Sequence, residues 1–64
     1  MNDAQAAALR LLRLMLPPEG YITKHHTFFR SETDADGNSY STLFYQLKNL
    51  GRVKIDGLRV SIDE

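Results

Sequence analysis

Sixty-four residues set a tight limit, because a chain of that length buries only about 60% of its unfolded surface and supports one core, not two. It contains no cysteine, which excludes disulfide staples and thiolate metal sites and fits a reducing, cytoplasmic setting. Eight Lys and Arg balance eight Asp and Glu, so the overall basic excess common among nucleic-acid binders is absent.

Asn2 or Asp3 is placed to cap a first helix over residues 4–16, whose alanines and leucines are strong helix formers and which Pro17 and Pro18 end. Ala4, Ala8, Leu11, Leu12 and Met15 form one apolar stripe. Ala7, Leu9, Leu14 and Leu16 widen it until only the arc of Gln5, Ala6, Arg10 and Arg13 is polar. So broad an arc exceeds what one small core covers, and a homodimer interface through Leu9, Leu14 and Leu16 is expected. Arg10 and Arg13 interrupt the apolar run, which falls short of the ~18 residues of a membrane span. No charged leader or cleavage site points to export, so neither a membrane nor an export signal is expected.

Residues 20–30 carry two patterns. Tyr21, Ile22, Thr23, Thr27, Phe28 and Phe29 suit a strand, whereas Thr23 could cap a short helix with Ile22, His26 and Phe29 turned inward. We take a short strand at Tyr21 and Ile22, then a short helix. Residues 31–38 read as a polar loop around Asp36-Gly37-Asn38. Its acids at alternate positions are similar to the start of a calcium-binding loop, but Leu43 stands where the bidentate glutamate is needed and Ser39 at the apolar eighth position. His25 and His26 lack a third ligand for zinc. No metal site is expected, and one of the two histidines should be half-buried.

From Tyr40 the positions Leu43, Phe44, Leu47 and Leu50 follow helical spacing, with Asn38 or Ser39 as cap and Gly51 as terminator. The outer face of this helix collects Ser41, Thr42, Tyr45, Lys48, Asn49 and Arg52. After Gly51 the period switches to two, and Asp56-Gly57 predicts a two-residue hairpin turn. In that register Ile55 faces Leu58 and Val53 faces Val60 on the buried side, with Lys54 directly opposite Arg59 on the exposed side.

The order helix, short strand, short helix, polar-faced helix, hairpin resembles the winged helix-turn-helix domains of prokaryotic and phage regulators. The likeness rests chiefly on Ser39-Tyr40-Ser41-Thr42-Leu43-Phe44-Tyr45-Gln46-Leu47-Lys48-Asn49-Leu50-Gly51-Arg52-Val53. It implies an α+β fold for residues 1–64, with three helices and a C-terminal β-hairpin wing, and a role as a small regulator or accessory factor of phage or mobile-element type that binds double-stranded DNA. The helix over 39–50 would enter the major groove, and the wing over 52–62 would rest on the backbone. Ser41, Thr42, Tyr45, Gln46 and Asn49 would then face base edges or nearby phosphates, while Lys48, Arg52, Lys54 and Arg59 would pair with phosphates.

The loop over 31–38 departs from that pattern in its length and its three acids. It admits a rival fold, one helix packed on an antiparallel sheet, in which 22–31 and 39–46 are strands. No nucleophile with a base, phosphate-cradling glycine loop or placed carboxylate pair is recognisable, so no catalytic residue and no cofactor are expected. The alternative function is a protein-interaction module, docking on a larger partner through the apolar helix or the aromatic run Tyr21, Phe28 and Phe29.

Overall fold

The structure, a computed structural model, describes residues 1–63. Helix α1 (Asp3–Met15) starts at a capping box: the Asn2 side chain accepts from the Gln5 backbone N–H at 2.8 Å, and Gln5 Oε1 accepts from the Asn2 N–H at 3.0 Å. It buries Ala8, Leu9 and Leu12. Gln5 and Ala6, expected in the polar arc, are half-buried, and the exposed arc is instead Ala7, Arg10, Arg13 and Leu14. Leu9 is 6% exposed and belongs to the core of its own chain, which removes it from the expected dimer face. Leu16 packs, half-buried, against the same core, and only Leu14, 82% exposed, still faces outward.

Strand β1 (Ile22–Thr23) leads to helix α2 (Thr27–Ser31), whose N-cap is His26 and not Thr23: the His26 Nδ1 accepts from the Phe28 N–H at 3.1 Å. Both histidines are exposed. Helix α3 (Tyr40–Asn49) buries Leu43, Phe44 and Leu47. It stops one residue before Leu50, where Gly51 takes φ +76°, so Leu50 is 50% exposed and not in the core as its spacing suggested. With α2 and α3 helical, the rival fold built on strands over 22–31 and 39–46 is overturned.

The remaining strands, β2 (Val53–Asp56) and β3 (Arg59–Ile62), complete a three-stranded antiparallel sheet of order β1-β3-β2. The hairpin register differs from the one expected. Gly57 and Leu58 form the two-residue turn, with φ +59° at Gly57 and no positive φ at any non-glycine residue among those described, the pattern of a type II′ turn. Val53 therefore pairs with Ile62, Lys54 with Ser61, Ile55 with Val60 and Asp56 with Arg59. The physical gain is visible in the pairs: an acid now faces Arg59 in place of a lysine, and Ile62 replaces Leu58 on the inner face. Leu58 sits at the tip, 54% exposed.

Leu12, Phe44, Leu47, Val53 and Val60 have no appreciable exposure and form the centre of the core, which joins α1, α3 and the inner sheet face. Phe44 also meets α2, with ring centroids 5.6 Å from Phe28 and 5.9 Å from Phe29. The result is an α+β fold of three helices and a C-terminal hairpin. Among the described residues, no helix is long and apolar enough to cross a membrane.

Candidate nucleic-acid interface

At 100° per residue, the burial of Leu43, Phe44 and Leu47 turns Thr42, Tyr45 and Asn49 to the centre of the opposite face of α3, and all three are exposed. Lys48 is exposed on the flank nearer Phe44. Ser41 shares that flank but is half-buried, and its hydroxyl lies 2.8 Å from that of Ser39. Gln46 is exposed on the other flank, where its Oε1 accepts from Gln5 Nε2 of α1 at 3.0 Å. Part of its hydrogen-bonding capacity is thus used inside the molecule, which leaves Asn49 as the freer amide of the pair.

Arg52 opens the hairpin. Its backbone N–H donates to Leu47 at 2.9 Å and its carbonyl accepts from Asp63 at 3.0 Å, fixing the base of β2 to the end of α3 while the side chain stays exposed. Lys54 and Arg59 lie on the outer face of the sheet, displaced diagonally and not opposite each other. With Glu19, Gly20, Tyr21, Asp56 and Ser61 they line an open cleft of about 230 Å³. The Arg59 guanidinium stacks on the Tyr21 ring at 4.5 Å from its centroid, which limits where it can reach.

The helix face and the hairpin tip are brought together by a residue that the sequence reading missed. Lys24 donates its backbone N–H to the Leu58 carbonyl at 2.8 Å, and its Nζ lies 5.4 Å from the centroid of the Tyr45 ring. Tyr45 is further held by an edge contact to Phe29 of α2 at 6.2 Å. No local pattern marks Lys24. It gains its place only because Ile22 and Thr23 pair with Val60 and Arg59, a long-range contact that no periodicity within 21–26 encodes.

The acidic loop ahead of α3 is closed on itself. Asp34 Oδ1 accepts from the backbone N–H groups of Asp36 at 3.0 Å and Asn38 at 2.8 Å, and Oδ2 accepts from Asn38 Nδ2 at 3.0 Å. Asn38, through its side-chain amide first and its backbone N–H second, holds the Asp34 carboxyl below its ordinary value. Those oxygens are occupied by N–H donors, and among the described residues no group of three acidic or histidine side chains is placed to hold a metal ion.

No protein-family model, curated protein or solved structure matches this chain.

Proposed function

We propose that this protein binds double-stranded DNA as a small winged helix-turn-helix regulator or accessory factor, acting in the cytoplasm without a cofactor or a catalytic step. The observation that supports it most is the face of α3: Thr42, Tyr45 and Asn49 present hydrogen-bonding groups with no apolar side chain between them, on a helix anchored from behind by Leu43, Phe44 and Leu47. The element order resembles that of a winged helix, and Lys24 links the hairpin tip to that face. In this reading Asn49 and Gln46 meet adenine edges, Ser41, Thr42 and Tyr45 meet base edges or nearby phosphates, and Lys48, Arg52, Lys54 and Arg59 meet phosphates.

Fluorescence anisotropy with a random duplex of about 20 base pairs, two helical turns, tests the reading. Four phosphate contacts give a log-log salt slope of roughly −3.6. A slope near zero would end it.

A second reading draws on exposed leucines. Leu14 on α1, 82% exposed, and Leu50 after α3, 50% exposed, are apolar groups that no packing inside the molecule explains. Of the two, Leu14 lies on α1 and is the apolar side chain through which that helix would dock on a larger protein or a second copy. Sedimentation at micromolar concentration distinguishes these: a dimer that Leu14→Ser dissociates supports the homodimer, and a monomer in both proteins removes it.

A further inference from the structure

We infer that Lys24 is a phosphate-binding residue of this interface and that Tyr45 is its positioning residue, holding the ammonium group where a DNA strand passes between α3 and the hairpin tip. The inference rests on the DNA-binding reading and adds a residue to it. It also gives Tyr45 a different task from the base contact that its place on the helix suggested.

Three observations place Lys24 at the seam. Its backbone is tied to the hairpin tip by the 2.8 Å bond to the Leu58 carbonyl, and its side chain is tied to α3 by the 5.4 Å approach of Nζ to the Tyr45 ring. The residue is half-buried, while Lys48 and Lys54 are exposed. The grooves of a duplex supply the next step. A helix in the major groove and a hairpin over the adjoining groove must straddle the phosphate strand that forms the wall between them. Arg52 joins α3 to the base of the hairpin, but Lys24 joins it to the tip, which places its ammonium group beside that strand in the proposed complex.

The chemistry of the pair suits the task. An ammonium group has three N–H donors and no acceptor, and a ring face engages one side of it, leaving donors for a phosphate oxygen. A lysine loses considerable rotamer entropy when its head is fixed. Tyr45 has already restricted it before DNA arrives, and Phe29 restricts Tyr45 in turn.

The test measures binding to the same duplex between about 50 and 200 mM salt, with circular dichroism confirming that each variant is folded. Lys24→Met keeps the aliphatic stem and removes the charge. It should make the slope shallower by about 0.9 and weaken binding about eightfold at 0.1 M salt, the contribution of one counterion-releasing contact. Tyr45→Leu removes the ring; it should weaken binding in the wild-type background and have no further effect beside Lys24→Met. A purely structural role for Tyr45 would shift thermal stability without this dependence on Lys24. A wild-type slope in Lys24→Met, or an equal loss from Tyr45→Leu in both backgrounds, overturns the assignment while DNA binding itself stands. If wild type has no salt-sensitive binding, the DNA reading falls and this assignment falls with it.

Discussion

Replacing Phe44 with alanine tests the packing that presents the α3 face. Its ring has no exposed surface and is met by Phe28 at 5.6 Å, Phe29 at 5.9 Å and Tyr40 at 6.2 Å between ring centroids. Truncating a buried phenylalanine costs about 3–5 kcal/mol, since the surrounding side chains only partly fill the space it leaves. At about 0.05–0.15 kcal/mol per residue, a chain of 64 residues has roughly 3–10 kcal/mol of total stability. Phe44→Ala therefore removes about 30% of the stability at the least and can remove all of it. Phe44→Leu retains most of the volume and should cost about 1–2 kcal/mol. Urea titration followed by circular dichroism at 25 °C measures both. A loss below about 1 kcal/mol in Phe44→Ala would refute the argument, because it would mean that α2 and α3 do not meet on this ring.

Three further expectations follow from individual residues. Changing both Lys54 and Arg59 to alanine should weaken DNA binding broadly across sequences and reduce the salt slope by roughly 0.9 for each phosphate left without its cation, while the fold survives because both side chains are outside the core; an unchanged slope would remove the hairpin from the interface. Leu58→Asn at the turn should change stability by no more than about 0.5 kcal/mol, but Ile62→Asp on the inner face should cost more than about 2 kcal/mol. The reverse order in urea midpoints would restore the Asp56-Gly57 turn. Asp34 titrates below its ordinary value, so its bonds stabilise the loop above the ordinary Asp range, near pH 3.9, and that contribution disappears as pH falls through the lowered value. An NMR titration of its carboxyl should move upward in Asn38→Ala, and an unmoved midpoint would show that Asn38 is not the main cause.

The two longer helices are legible in the sequence because their signal is local, whereas the cap of α2 is His26 and not the expected Thr23. Asn2 as one of two candidate caps, the prolines after α1, and Leu43, Phe44 and Leu47 at helical spacing specify α1 and α3 without reference to the rest of the chain. Leu50 was misplaced because periodicity continues through a residue whose backbone is already leaving the helix at Gly51. The hairpin was misread for a related reason. Asp-Gly is a strong turn signal, yet the choice between Asp56-Gly57 and Gly57-Leu58 is made by the ladder, where Asp56 meets Arg59 and Ile62 enters the inner face. The width of the apolar arc points Leu9 outward, but width alone does not tell which part of the arc the rest of the core covers, and Leu9 is buried. The centre of the polar face of α3, Thr42, Tyr45 and Asn49, is legible because the same periodicity buries the other side, but Ser41 is half-buried and Arg52 lies beyond the helix end. Lys24 is not legible, because its role depends on a pairing between residues far apart in the chain.

A neutral total charge and a polyanionic partner are compatible here because the charges are divided along α3. Glu32, Asp34 and Asp36 precede its N-terminus, whereas Lys48 and Arg52 lie at its C-terminal end, followed by Lys54 and Arg59 in the hairpin. This division is explained without a partner only at its basic end, where Lys48 in the last turn interacts favourably with the helix dipole; no acid lies in the first turn. It nevertheless has a consequence for the proposed complex. The three acids of the loop would repel phosphate. A duplex approaching α3 would be steered from the loop toward Asn49, Lys48, Arg52 and the hairpin, so that the C-terminal half of the helix makes the closest approach. Helix-turn-helix proteins commonly use the N-terminal residues of the recognition helix for base contacts, and the charges here favour the opposite end. Net charge averages these two ends to zero and hides the asymmetry. The salt slope counts only the cations that displace counterions at the interface, which makes it the quantity that decides between DNA and a protein partner.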